Sequence, residues 1–342
     1  MPQTHRIDCH VHYHATAFAD LLLAHQGTTG ANVPIRGFVA SRPAWRDLDA
    51  LREAMDQTEV ELGVIIPIAG TLLGLRTAGM GATEAFNRSM SEDLERGGQG
   101  RFLAAAVVDP FGGKDEVAEL DRSLQLPHIG AIGLVASYDG TALDDPLFEP
   151  LWEVARDHDV PVLVHPSTVA RNWVEALRLD HNILEAGVGF LLDDALCILR
   201  MVLNGTFDRW PDVRFMFCQL GGFAHACCAR WDFHRQQQRL MSAAPGRPLP
   251  HWADHALEEY LSRLWLDTHS QDRHIMRLTM EVAGEDAIVL GGDYPLTLPE
   301  GGVLHAMTEL EALGVSEQTR TKVERENALR LLGATRTSST SR

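Results

Sequence analysis

Near the start of the chain stands IDCHVHYH, residues 7–14, with His10, His12 and His14 at every second position. Alternate residues of a strand share one face. His10 and His12 can therefore present two imidazoles side by side, and His14 joins them only if the strand lasts that long. Other polar residues end otherwise apolar runs: His165 in VLVHPS, Gln219 in FMFCQLGG, His269 in LDTHS and Asp293 in VLGGDYP. Three imidazoles (His10, His12, His165) and one carboxylate (Asp293) suit a borderline divalent ion such as Zn2+, with Mn2+ as an alternative. An ion with an open position lowers the pKa of its bound water toward ~7. Asp293 could ligate the ion, shuttle a proton, or do both. Each signal alone has a plainer reading: HxH as strand-end polar residues, His165 as a satisfied core histidine, Asp293 as the start of a turn. Together they form a site only if the fold brings these strand ends into one place.

Eight short apolar runs carry these residues, at 6–12, 60–67, 102–109, 129–136, 160–166, 213–219, 264–269 and 287–295. Most are near-continuously apolar, as strands buried on both faces of a parallel sheet must be. Helical stretches separate them, and the alternation predicts an α/β fold, a (β/α)8 TIM barrel. In such a barrel function gathers at the C-terminal ends of the strands, where the polar residues stand. A doubly wound open sheet is the runner-up, weakened because no GxGxxG turn follows the first strand. One domain is expected over residues 1–333, with a loop insertion after the sixth strand (MSAAPGRPLPHWAD, 241–254). A disordered polar tail is expected at 334–342. The glycine-rich TLLGLRTAGMGA, 71–82, reads as loop.

Composition narrows the function classes. The 342 residues hold 30 Lys and Arg against 47 Asp and Glu, a net charge of −17, which argues against the basic face of a nucleic-acid binder. The apolar runs are strand-sized, far short of the ~18 residues of a membrane span. The N-terminal residues lack the apolar core of a signal peptide. Five cysteines without CxxC spacing fit a reduced, cytoplasmic setting rather than a thiolate zinc site.

The stretches IDCHVHYH, VLVHPS, FDRWPDVRFMFCQLGG, WLDTHSQDRHIMRLTMEVAGEDAIVLGGDYPL and ENALRLLG resemble the amidohydrolase superfamily. The resemblance is to the branch of aminocarboxymuconate-semialdehyde decarboxylase and related non-oxidative decarboxylases. It implies one catalytic divalent ion, usually zinc, held by His10, His12, His165 and Asp293. It also implies loss of carbon dioxide from a small unsaturated or aromatic carboxylic acid, and a homodimer. The chain departs from the pattern in three places. The sixth strand of these relatives ends in histidine, where this chain has Gln219. An amide can hydrogen-bond a substrate but cannot exchange a proton near neutral pH. His225, six residues on, could substitute if a helix starts there. An aromatic commonly follows the fifth-strand histidine, whereas Pro166, Ser167 and Thr168 make a smaller, more polar wall, with Ser167 a candidate substrate contact. The carboxylate-gripping arginine has only Arg52 nearby, one position out of register. Arg230 matches a family arginine that reaches a neighbouring subunit's site, or is an ordinary helix-surface residue. His269 is a further candidate for touching substrate. Three readings follow: a decarboxylase; a hydrolase of an amide, lactone or C–C bond using a metal-bound hydroxide; and an inactive binding homologue.

Overall fold

The apolar runs supply strands, and each strand pairs with its neighbour in the chain. The computed structural model describes residues 5–16, 43–78, 81–167, 182–242, 250–269, 272–297 and 301–333. Among them, eight parallel strands form one sheet in sequence order. They are β1 (Arg6–Val11), β2 (Val60–Ile65), β3 (Phe102–Ala106), β4 (Ile129–Val135), β5 (Val162–His165), β6 (Phe215–Phe217), β7 (Trp265–Asp267) and β8 (Ile288–Val289). The sheet closes on itself. The Cys9 N–H donates to the Leu290 carbonyl (2.8 Å), Asp293 N–H to the His10 carbonyl (2.7 Å), and His12 N–H to the Tyr294 carbonyl (2.8 Å). The chain thus forms the expected (β/α)8 barrel.

The strands are shorter than the runs that predict them. The run 213–219 yields three ladder residues and 287–295 only two. Gln219, His269 and Asp293 fall just past the ladder, while His10 and His165 stand at the C-terminal ends of β1 and β5, so all five face the mouth of the barrel.

The surrounding helices are α1 (Leu48–Gln57), α2 (Ala69–Ala78), α3 (Ala82–Gly97), α4 (Gly113–Ser123), α5 (Glu149–Asp157), α6 (Phe190–Leu203), α7 (Cys228–Ser242), α8 (Arg273–Ala283) and α9 (Val303–Leu313). Asp47 caps α1 by accepting from the Asp49 N–H (2.9 Å). The stretch 71–82, expected as loop, is largely helix α2. Leu72 and Leu75, three apart, are both buried, and that burial outweighs the ~1 kcal/mol a helical glycine costs. A small antiparallel hairpin, Ser137–Tyr138 with Thr141–Ala142, follows β4 and was not expected. The start of the expected insertion is helical, since α7 reaches Ser242. Residues 243–249, the tail 334–342 and Thr168 lie outside the described residues. Among the described residues, no helix is long and apolar enough to cross a membrane.

After β6 the chain turns through four consecutive left-handed residues: Gln219 (φ 54°), Leu220 (55°), Gly221 (67°) and Gly222 (64°). Helix α6 packs directly on this turn. A Cβ on Gly222 would stand 2.0 Å from the Leu191 carbonyl oxygen, a backbone atom that cannot rotate away. Gly222→Ala is expected to cost about 3 kcal/mol or more through clash and strain, read as a lower denaturant midpoint.

Candidate active site

The first strand aims His10 into the mouth. His12, one residue past β1, keeps to the same face because the Tyr294 carbonyl holds its N–H in the extended form. His10 Nε2 and His12 Nε2 stand 3.2 Å apart, and His165 joins them, with one ring nitrogen of each within 4.8 Å of the others. The second nitrogen of every ring is already engaged. His10 Nδ1 meets Asp267 Oδ2 (2.8 Å), His12 Nδ1 the Ile66 carbonyl (2.7 Å), and His165 Nδ1 the Pro166 carbonyl (2.6 Å). Carbonyls and carboxylates only accept, so each Nδ1 carries the proton and each Nε2 presents a lone pair.

Asp293 completes the cluster. Its φ is 56°, a left-handed conformation pinned by the bond to the His10 carbonyl. Its Oδ1 is 2.8 Å from His12 Nε2 and 3.6 Å from His10 Nε2. Although so near, this buried oxygen has no properly aligned hydrogen-bond partner among the described residues. Facing lone pairs and an orphaned carboxylate oxygen repel one another unless a cation lies among them. A spacing of 3.2 Å also suits two nitrogens on one ion with bonds of ~2.1 Å. The donor set of His10, His12, His165 and Asp293 therefore fits a divalent ion.

A carboxylate that the sequence reading missed organises the floor of the site. Asp267 accepts from His10 Nδ1 with one oxygen; with the other it accepts from the N–H groups of Gln219 (2.8 Å) and His269 (2.9 Å). It thus ties together β1 and the ends of β6 and β7. Burial would raise its pKa, but His10 and His269 outweigh it and hold the carboxyl below the usual range. The available signal was a charged residue inside the apolar run LWLDTH. Close approach is possible because position 291 is glycine, where a Cβ would lie 2.8 Å from Asp267 Cβ and 3.1 Å from His10 Cβ.

His269 enters the site directly. Its Nε2 is 2.9 Å from Asp293 Oδ2. Burial lowers the pKa of this ring, yet the neighbouring Asp293 more than compensates, and the net direction is upward. For Asp293, burial is likewise outweighed by His269 and His10, which hold its carboxyl well below the usual range. Burial, followed by His12 and His10, pushes His165 down to about 3. His14 lies beyond the cluster, stacked on Trp45 at 5.4 Å, with His12 on the same indole at 5.9 Å. Burial lowers His14 to about 3, leaving it neutral.

Of the remaining expected site residues, Gln219 lies at the floor of the site and the others fall elsewhere. Gln219 is buried, its N–H held by Asp267. His225 sits in the short helical turn Ala224–Cys227, where its ring is buried and burial lowers its pKa. Ser167 does not form a pocket wall: it is fully buried and its hydroxyl donates to Asp193 Oδ2 (2.8 Å). Arg52 does not reach the mouth. Its guanidinium donates to the Gly97 carbonyl, at the end of α3, and to Asp49. That places it in the outer helix layer near the start of β3. Arg230 is exposed on α7.

The amidohydrolase family pattern matches residues 7–334, and the chain belongs to that family. The 2-amino-3-carboxymuconate-6-semialdehyde decarboxylase of Dictyostelium discoideum is 25% identical over 238 residues, 68% of this chain and 61% of its own length. Among solved structures, 5-carboxyvanillate decarboxylase from Sphingomonas paucimobilis matches with a TM-score of 0.80 at 20% identity, over 96% of this chain and 99% of that one. The same enzyme from Novosphingobium aromaticivorans, complexed with manganese and 4-hydroxy-3-methoxy-5-nitrobenzoic acid, matches at 0.79 and 19% identity, over 97% of each chain. At such identities the structural likeness establishes the fold.

Proposed function

We propose that this chain is a metal-dependent, non-oxidative decarboxylase of a small unsaturated or aromatic carboxylic acid. One observation carries the reading: three imidazole lone pairs and an orphaned Asp293 oxygen converge at the mouth of a barrel whose relatives include decarboxylases. His10, His12, His165 and Asp293 hold one ion, zinc or manganese; the manganese complex of the Novosphingobium enzyme supports the second. When bound, such an ion polarises and orients the acid. Side chains do the rest. Loss of carbon dioxide leaves the electron pair of the broken C–C bond on the substrate carbon, which then takes up one proton. Asp293 Oδ2 and His269 Nε2, 2.9 Å apart, form the couple that delivers it. The imidazole that Gln219 cannot provide on the sixth strand thus comes from the seventh. Gln219, anchored through Asp267, offers its amide to the substrate.

The test is carbon dioxide release from a panel of unsaturated and aromatic acids by metal-loaded protein. Release that stops on chelation and returns with metal is expected. A fully loaded protein that releases none across the panel sinks the reading. Labelled water oxygen appearing in a product would favour hydrolysis instead, and absence of both chemistries an inactive binding homologue. The reading also includes one domain over 1–333, a cytoplasmic setting in keeping with five free cysteines, and a homodimer, which light scattering of the same preparation weighs directly.

A further inference from the structure

β5 ends at His165, and Pro166 follows. Proline has no N–H, so the strand ladder cannot continue through it. Its last bond here runs from the Ala136 N–H to the His165 carbonyl (2.9 Å). The next peptide unit, joining Pro166 to Ser167, is gripped at both ends. Its carbonyl accepts from His165 Nδ1 (2.6 Å), and its N–H donates to Asp193 Oδ2 (2.8 Å). Two hydroxyls close on the same carboxylate: Ser167 Oγ on Oδ2 (2.8 Å) and Ser137 Oγ on Oδ1 (2.7 Å). All three residues are buried. Asp193 therefore joins α6 to the ends of β4 and β5.

We propose that Asp193 is a positioning residue for the ion site, acting on His165 through the Pro166–Ser167 peptide. The proposal rests on the metal reading above. Asp267 grips His10 directly, and Asp193 grips His165 with one peptide unit between them. A carboxylate that accepts a peptide N–H polarises that unit and makes its carbonyl a stronger acceptor. The stronger acceptor keeps the proton on Nδ1 and aims Nε2 at His10 and His12, as outer partners of metal-binding histidines do. Without the carboxylate, the peptide after the strand end can rotate, and the ring follows its carbonyl.

Cobalt(II) binding to the full chain tests this without turnover. Affinity is read by chelator competition and ligand geometry by the visible spectrum. Asp193→Asn is expected to weaken cobalt binding about 10–100-fold and to change the spectrum. Ser167→Ala, which keeps the backbone bond, is expected to lose less. A merely structural role would lower Tm and leave the spectrum unchanged. Folded Asp193→Asn protein with native affinity and spectrum overturns the proposal. If that variant does not fold, Asp193→Glu, which keeps the charge but displaces the carboxylate from the Ser167 N–H by one methylene, is expected to weaken cobalt binding about 10-fold and change the spectrum, and native affinity and spectrum in folded Asp193→Glu protein overturn the proposal. Wild-type protein that binds no cobalt overturns the metal reading and this proposal with it, whereas native binding indifferent to Asp193 removes this proposal alone.

Discussion

Asp293→Asn is expected to lower kcat by about 10³–10⁴-fold, the upper part of the range for losing an acid–base group. The substitution keeps the shape of the side chain and removes its charge. Both oxygens matter. Oδ1 lies among the imidazole lone pairs, 2.8 Å from His12 Nε2, and an amide oxygen there attracts a cation less. Oδ2 faces His269 Nε2 at 2.9 Å, and an amide nitrogen in that place donates where the carboxylate accepted. The variant should therefore bind less metal, by elemental analysis, and stay nearly inactive even when metal is in excess. Activity restored to within a few-fold by excess metal would mean that Asp293 only ligates and moves no proton.

His269→Gln separates these two roles. This ring touches the oxygen of Asp293 that faces away from His10 and His12, so metal content should hold. The proton couple should not: kcat falls by about 10²–10⁴-fold with KM changed far less. Gln219→Ala, by contrast, removes an amide that cannot carry a proton, and its effect should fall mainly on KM. A His269→Gln enzyme with near-native kcat would return the proton-transfer role to another group, with His225 the next to test. His225 is buried in the turn that follows β6, so its replacement should show first as lost stability.

Much of the fold was legible without the structure. Strands buried on both faces must be almost wholly apolar, and the eight runs announce themselves for that reason. Most polar residues that interrupt them sit at strand ends, because a polar group buried within the barrel wall costs free energy unless it is paired. His10, His12, His165 and Asp293 could be singled out on this basis, and the fold does bring them together. The stretch 71–82 misled because glycine lowers helix propensity locally, while Leu72 and Leu75 gain from burial that only the finished core supplies.

Partnerships across the mouth were not legible. Asp267 meets His10 across 257 residues of sequence, a contact set by closure of the sheet and by Gly291. Arg52 looked like a carboxylate grip by its distance from a motif, yet the helix turns it toward Gly97. Ser167 looked like a pocket wall, yet the missing N–H of Pro166 and the carboxylate of Asp193 draw it inward. Sequence alone determined which chemical groups stand at the strand ends, since apolar periodicity and the cost of burying polar groups are local matters. Tertiary structure alone decided which group pairs with which, including the His269 imidazole beside Asp293, because those distances depend on strand register and closure around the whole barrel.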